Sequence, residues 1–100
     1  MEEIGTMKVW YRRRALTDIE GIYRYIAERN PHAASEVVAR IRAGADRLGS
    51  WPRIGHGGRV PGTYEWSVVG LPYVIVYEMD QNAAEVANIA VFHAAQDRDA

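Results

Sequence analysis

The chain has 100 residues, with 12 Lys and Arg against 13 Asp and Glu, and the net charge of −1 excludes a generic polybasic nucleic-acid binder. Apolar residues at 48% and charged residues at 25% are globular values, and the length suits one compact domain burying roughly 65% of its unfolded surface around a single core. Without cysteine there is no disulfide framework or thiol chemistry, no apolar run reaches the ~18 residues of a membrane span, and Met1-Glu2-Glu3 is unlike a signal peptide, so the expected location is the cytoplasm.

Residues 7–12 alternate as a short strand, with Met7, Val9 and Tyr11 on one side and Lys8, Trp10 and Arg12 on the other. Thr17-Asp18-Ile19-Glu20 is a capping box and predicts a helix starting at Thr17. Ile19, Ile22, Tyr23 and Ile26 then form its apolar stripe. Asn30-Pro31 closes this helix and opens a second, because Asn suits the cap and Pro the first helical position. The second helix places Ala34, Val37, Val38, Ile41, Ala45 and Leu48 on one face, and Gly49 fits the left-handed residue beyond its end. So short a break predicts an antiparallel helical hairpin.

Residues 49–63 hold five glycines and two prolines and read as a long loop, a kind of segment that is usually functional. Three strands follow, over 63–69, 73–79 and 86–93. The first alternates Tyr64, Trp66 and Val68 with Glu65 and Ser67, and the second is almost continuously apolar, as a central strand should be. In the third, strict alternation puts Val86, Asn88, Ala90 and Phe92 on one face and Ala87, Ile89, Val91 and His93 on the other. The expected fold is α+β, in the order β-α-α-β-β-β, with the hairpin packed on a small, mostly antiparallel four-stranded sheet. Residues 1–100 form one domain without repeats, and the pattern leaves open which edge the first strand joins.

The flat net charge hides an asymmetry. Residues 8–59 carry eleven basic residues against five acidic ones, a net of +6; the rest carries one against eight, a net of −7. Ten of the eleven are Arg, the side chain suited to bidentate pairing, so the basic stretch fits an acidic partner or the chain's own acidic half.

Few residues carry chemistry. Gly55-His56-Gly57-Gly58-Arg59 follows a helix and precedes a strand, the reverse of a phosphate-cradling loop. His32, His56 and His93 lie far apart with no second ligand one helical turn away, so no metal site is predicted. No Ser has a nucleophile context, and Trp10, Tyr23, Trp51, Tyr64, Trp66, Tyr73 and Tyr77 are spaced as core rather than as a base-stacking platform.

Several segments in order carry a family resemblance: Ala15-Leu16-Thr17-Asp18-Ile19-Glu20 through Tyr25-Ile26-Ala27, Asn30-Pro31-His32-Ala33-Ala34, Leu48 with Pro52-Arg53-Ile54-Gly55, Arg59-Val60-Pro61-Gly62-Thr63, Tyr73-Val74-Ile75-Val76-Tyr77, and Val91-Phe92-His93-Ala94-Ala95-Gln96-Asp97-Arg98. Together they resemble the RelE/ParE superfamily of toxins from type II toxin–antitoxin modules, over essentially the whole chain from Met7 to Arg98. The resemblance implies the hairpin-on-sheet fold. Its RelE-like branch implies ribosome-dependent mRNA cleavage by a cluster of Lys, Arg and a C-terminal Tyr, a cluster that must neutralise phosphate charge in the transition state. At the matching positions this chain has Glu65, Ser67, Val74 and Ala94, and its tail has no Tyr.

The ParE-like branch, without a catalytic cluster, is the better match. It implies growth inhibition by protein–protein contact, with DNA gyrase as the target, and neutralisation by a small DNA-binding, ParD-like antitoxin whose acidic segment wraps the toxin. Operator DNA is then reached only through the antitoxin complex, and neither a cofactor nor a membrane is involved. The expected contact site is a groove along the helical hairpin and sheet edge, with Trp51, Arg53, Arg59, His93 and Arg98 as candidates for the target or antitoxin surface. No residue is assigned a catalytic or metal-binding role. The alternatives are an endoribonuclease with a rearranged site using His93, Arg59, Arg98 and Tyr77, and an inactive antitoxin-binding module.

Overall fold

A computed structural model of the chain describes residues 6–95. Along it run β1 (Lys8–Tyr11), α1 (Arg13–Ala27), α2 (Pro31–Ser50), β2 (His56–Gly57), β3 (Tyr64–Ser67), β4 (Tyr73–Asp80) and β5 (Glu85–His93). Among the described residues the strands form one sheet in the order β1-β5-β4-β3-β2, five strands rather than the expected four. The addition is β2, two residues inside the expected loop, which pair antiparallel with β3 through His56–Glu65 and Gly57–Tyr64.

The strand whose place was open, β1, lies at one edge and runs parallel to β5. A parallel neighbour requires a long crossover, and the helical hairpin supplies it. The Asn88 side chain, fully buried on β5, donates to the Trp10 carbonyl and ties this edge strand down.

Between the helices, Asn30 is the cap of α2: its side chain accepts the Ala33 N–H at 3.0 Å, with Pro31 in the first position of the helix. The start of α1 differs from expectation. The helix begins at Arg13, with extended Arg12 as the N-cap, so Thr17 lies inside it and the capping box does not form. Arg13, Arg14, Ala15 and Leu16 are all good helix formers, and Ala15 is fully buried, so the extra turn is favoured both locally and by packing. Asp18, freed from the box, accepts the Val91 N–H of β5 at 2.9 Å.

Gly49 is a second correction, because α2 continues through it to Ser50. A Cβ there would meet the Met7 carbonyl at 2.6 Å and the Val9 side chain at 2.7 Å. Gly49 therefore serves close approach of β1 to the helix, and its carbonyl accepts the Met7 N–H at 2.8 Å.

The third correction is on β5. Tyr77 pairs with Asn88 but Val76 pairs with Ala90, so Ile89 is an extra residue and the ladder is bulged. Beyond the bulge the faces exchange. Tyr73, Ile75, Tyr77 and Met79 of β4 then stand opposite His93, Val91, Asn88 and Val86 on one face. This face meets the helices: Ile19, Ile41, Ala45 and Leu48 join Ile75, Tyr77, Val86 and Val91 in the core. Among the described residues no helix is long and apolar enough to cross a membrane.

Candidate functional site

The end of α2 builds the most distinctive surface. Trp51 leaves helical geometry while its N–H still bonds the Arg47 carbonyl at 2.9 Å, and Pro52 then prevents continuation. The chain turns back on itself, the Ile54 N–H reaching the Trp51 carbonyl at 3.1 Å. One side chain from the middle of the sheet secures this turn. The Tyr77 hydroxyl donates to the Pro52 carbonyl at 2.8 Å and accepts the Gly55 N–H at 3.0 Å. Tyr77 is fully buried, and the Tyr64 ring stacks on it at 5.6 Å. Burial pushes the phenol above its ordinary value of 10.0, partly offset by the Gly55 N–H bond, with neighbouring Tyr64 adding to the rise. At neutral pH the group is thus a neutral O–H, as its bond to Pro52 requires. A Cβ on Gly55 would lie 2.6 Å from both the Tyr77 hydroxyl and the Glu65 carbonyl, so the turn packs directly onto β3 and β4.

Held this way, the turn presents large apolar side chains outward: Trp51 is 60% exposed and Ile54 41%. With Met7, Ser50, Pro52 and Gln81 they line a groove of about 500 Å³, completed by Arg47 and Arg53. Arg12, Arg14 and Arg24 are ion-paired with Glu78, Asp18 and Glu20, whereas Arg47 and Arg53 form no ion pair among the described residues. Exposed apolar area of this kind rimmed by charge marks interaction sites on protein surfaces.

Of the five candidate residues, the structure brings Trp51 and Arg53 together here. Arg59 lies on the β2–β3 connection, where its backbone N–H approaches a Glu65 carboxylate oxygen at 3.4 Å. His93 is at the far end of the sheet. The groove above adjoins Gln81 and the start of β1, which pairs with the start of β5, whereas His93 ends β5, about 26 Å away at ~3.3 Å per residue. There His93 meets the Tyr73 ring edge-on at 5.4 Å, and its Nδ1 accepts the Ala95 N–H at 3.0 Å. With Asp18, Gly21, Tyr25 and Tyr73 it lines a second groove, of about 610 Å³. Arg98 lies outside the described residues.

Of the residues of a rearranged ribonuclease site, Tyr77 and His93 are not gathered in one place. Tyr77 and Tyr73, the partner of His93, are four residues apart on β4, about 13 Å, and the Tyr77 hydroxyl is engaged by the turn. The positions that would carry cations stand on the sheet face away from the helices as Glu65, Ser67 and Val74, beside Val76 and Glu78. Among the described residues no group of three or more His, Asp or Glu could hold a metal ion.

Met7, Arg47, Ile54 and Tyr77 belong to the candidate site but were not singled out for it in the sequence. Ile54 was legible, as an apolar residue next to Trp51-Pro52-Arg53 in a Gly/Pro-rich segment. The others lie just before β1 (Met7), in α2 (Arg47) and on β4 (Tyr77), and only the fold brings them together.

Comparison with known proteins agrees with this architecture. The family model described as the ParE toxin of the type II toxin–antitoxin system parDE matches residues 9–98. The predicted toxin Y4kP of Sinorhizobium fredii is 35% identical over 89 residues, covering 89% of this chain and 90% of that protein. Toxin RelE2 of Caulobacter vibrioides is 34% identical over 83 residues, covering 83% and 90% respectively. Among solved structures, a chain of the chromosomal ParDE system from P. aeruginosa superposes with a TM-score of 0.76 at 20% identity, covering 90% of this chain and 98% of that one. A chain of the intact E. coli RelBE toxin–antitoxin complex gives 0.67 at 18% identity, covering 90% and 99%. These structures share the fold, and the family match over nearly the whole length goes further: the chain belongs to the ParE toxins of type II toxin–antitoxin systems.

Proposed function

We propose that this toxin arrests growth in the cytoplasm by protein–protein contact with DNA gyrase, and that a cognate ParD-like, DNA-binding antitoxin holds it inactive. Operator DNA is then engaged only through the antitoxin complex. The observation that carries this reading is the groove at the end of α2, where exposed Trp51 and Ile54 adjoin two arginines that form no ion pair among the described residues. Such a surface suits an acidic segment with an apolar anchor: the anchor gains from burial, and the carboxylates meet guanidinium groups in bidentate geometry. The sheet face favours contact over RNA cleavage, because Glu65, Ser67 and Val74 stand where a ribonuclease would present cations to a phosphodiester.

The antitoxin is expected from a small gene adjoining that of the toxin, and the test is induction of the chain with and without that gene, followed by assays of DNA supercoiling and mRNA integrity on the same culture. Growth arrest relieved by the adjoining gene, with lost supercoiling and intact message, is the expected result. Cleaved message abolished by His93→Ala would replace the gyrase reading with the ribonuclease one. Unimpaired growth with a co-purifying neighbour would leave an inactive antitoxin-binding module.

A further inference from the structure

The Trp51-Ile54 surface is expensive to present, since it exposes large apolar groups that a flexible segment would fold away. What keeps it open is a short set of bonds, two of which converge on one atom. Within the turn, the Trp51 N–H is tied to α2 through Arg47 and the Ile54 N–H to Trp51 itself. Both remaining ties, from the Pro52 carbonyl and the Gly55 N–H, go to the Tyr77 hydroxyl. That hydroxyl comes from the central strand, on a side chain with no exposed surface, backed by Tyr64. Gly55 completes the fit, because any larger residue would collide with the same oxygen.

We propose that Tyr77 is the positioning residue of the contact surface: through its hydroxyl it holds turn 51–55 in the orientation that presents Trp51, Arg53 and Ile54, ready formed, to the antitoxin. This inference rests on the toxin–antitoxin reading given above. A surface that is already ordered binds without the ordering cost, and one that is ordered only part of the time loses affinity in proportion to that fraction. Tyr77→Phe keeps the ring, its stacking and its volume while removing both bonds to the turn. Two hydrogen bonds of ordinary net strength correspond to about a tenfold loss of affinity when the turn becomes free to move.

The experiment uses the purified product of the adjoining small gene as the probe and measures its dissociation constant for the full chain. The expected result is that wild type binds, Tyr77→Phe binds about tenfold more weakly, and the Gly55 amide exchanges faster with solvent in that variant. In a background carrying Trp51→Ala, Arg53→Ala and Ile54→Ala together, the further loss from Tyr77→Phe shrinks to at most about twofold, because the side chains being positioned are already gone. Gly55→Ala reaches the same turn from the other side and carries the same comparison where Tyr77→Phe fails to fold. Equal affinity of Tyr77→Phe and wild type overturns the positioning role and leaves the toxin–antitoxin reading standing. An undiminished loss in that triple-alanine background also overturns it, since Tyr77 would then act on overall stability alone. A probe that does not bind wild type sinks the antitoxin reading, and the positioning role with it.

Discussion

Asp18 shows how one side chain can be recruited away from its local role. In the sequence it belongs to a capping box; in the structure its carboxylate crosses from α1 to accept the Val91 N–H beside the β5 bulge, where the regular ladder is interrupted. It also pairs with Arg14 one turn earlier in its helix. Removing the acceptor leaves a buried amide without a partner, a cost of about 1–3 kcal/mol. Asp18→Ala is therefore expected to lower stability by that amount in denaturant titration, and a loss under about 0.5 kcal/mol would show that the bond contributes little. The buried tyrosines make a different prediction. Tyr11, Tyr73 and Tyr77 are all raised above 10.0, in each case first by burial. The folded chain thus holds these protons more tightly than the unfolded chain, which begins to lose them near pH 10. Their contribution is complete below that pH and is lost as pH rises through it. The melting temperature should fall between pH 9 and 11, with a shallower fall in Tyr77→Phe and a residual slope from Tyr11 and Tyr73. A melting temperature flat over that interval would contradict the assignment.

At the scale of elements, the hairpin depends on Asn30. Its side chain satisfies an N–H at the start of α2, and the cap, followed by Pro31, fixes where the chain reverses. Asn30→Ala should cost about 1 kcal/mol, a melting shift of roughly 4–8 °C in a domain of this size, whereas Asn30→Asp should retain most of the stability. This boundary was legible because cap chemistry is local. The start of α1 departs from the sequence expectation for the complementary reason: Thr17 offers a cap, but helix propensity upstream and the distant Val91 amide decide otherwise. The bulge at Ile89 left no trace, since Ala87 to Phe92 is apolar apart from Asn88 and no polar residue marks the exchange of faces. Nor did β2, whose His and Gly have little strand preference and pair only because β3 offers an edge. The candidate site divides in the same way. Trp51 and Arg53 stood out as bulky residues in a Gly/Pro-rich segment, while Tyr77 sits in an apolar run where nothing marks a phenol that reaches a turn 22 to 25 residues earlier.

Across the whole molecule, charge is arranged by element. The basic stretch supplies both helices, the turn and the two edge strands β1 and β2, while Glu65, Glu78, Asp80 and Glu85 lie on β3, β4 and β5. The two halves meet at the Arg12–Glu78 pair, at 2.8 Å, but Arg14 and Arg24 pair within the basic half, and Arg13, Arg29, Arg47 and Arg53 form no ion pair among the described residues. The fold therefore leaves positive charge beside the Trp51 groove even though the net charge is −1. Charge so placed acts first on encounter. An acidic partner is steered toward the groove over a range set by the Debye length, about 8 Å at physiological salt, so the association rate should fall as salt is raised. Arg47→Glu with Arg53→Glu reverses the rim while leaving Trp51, Ile54 and the core in place. The double variant should fold normally and associate at least tenfold more slowly with the adjoining gene's product at low salt. Its association rate should stay level or rise with added salt, where that of wild type falls. A variant that kept the wild-type rate and salt slope would place the acidic partner elsewhere, and the second groove beside His93 would become the surface to test.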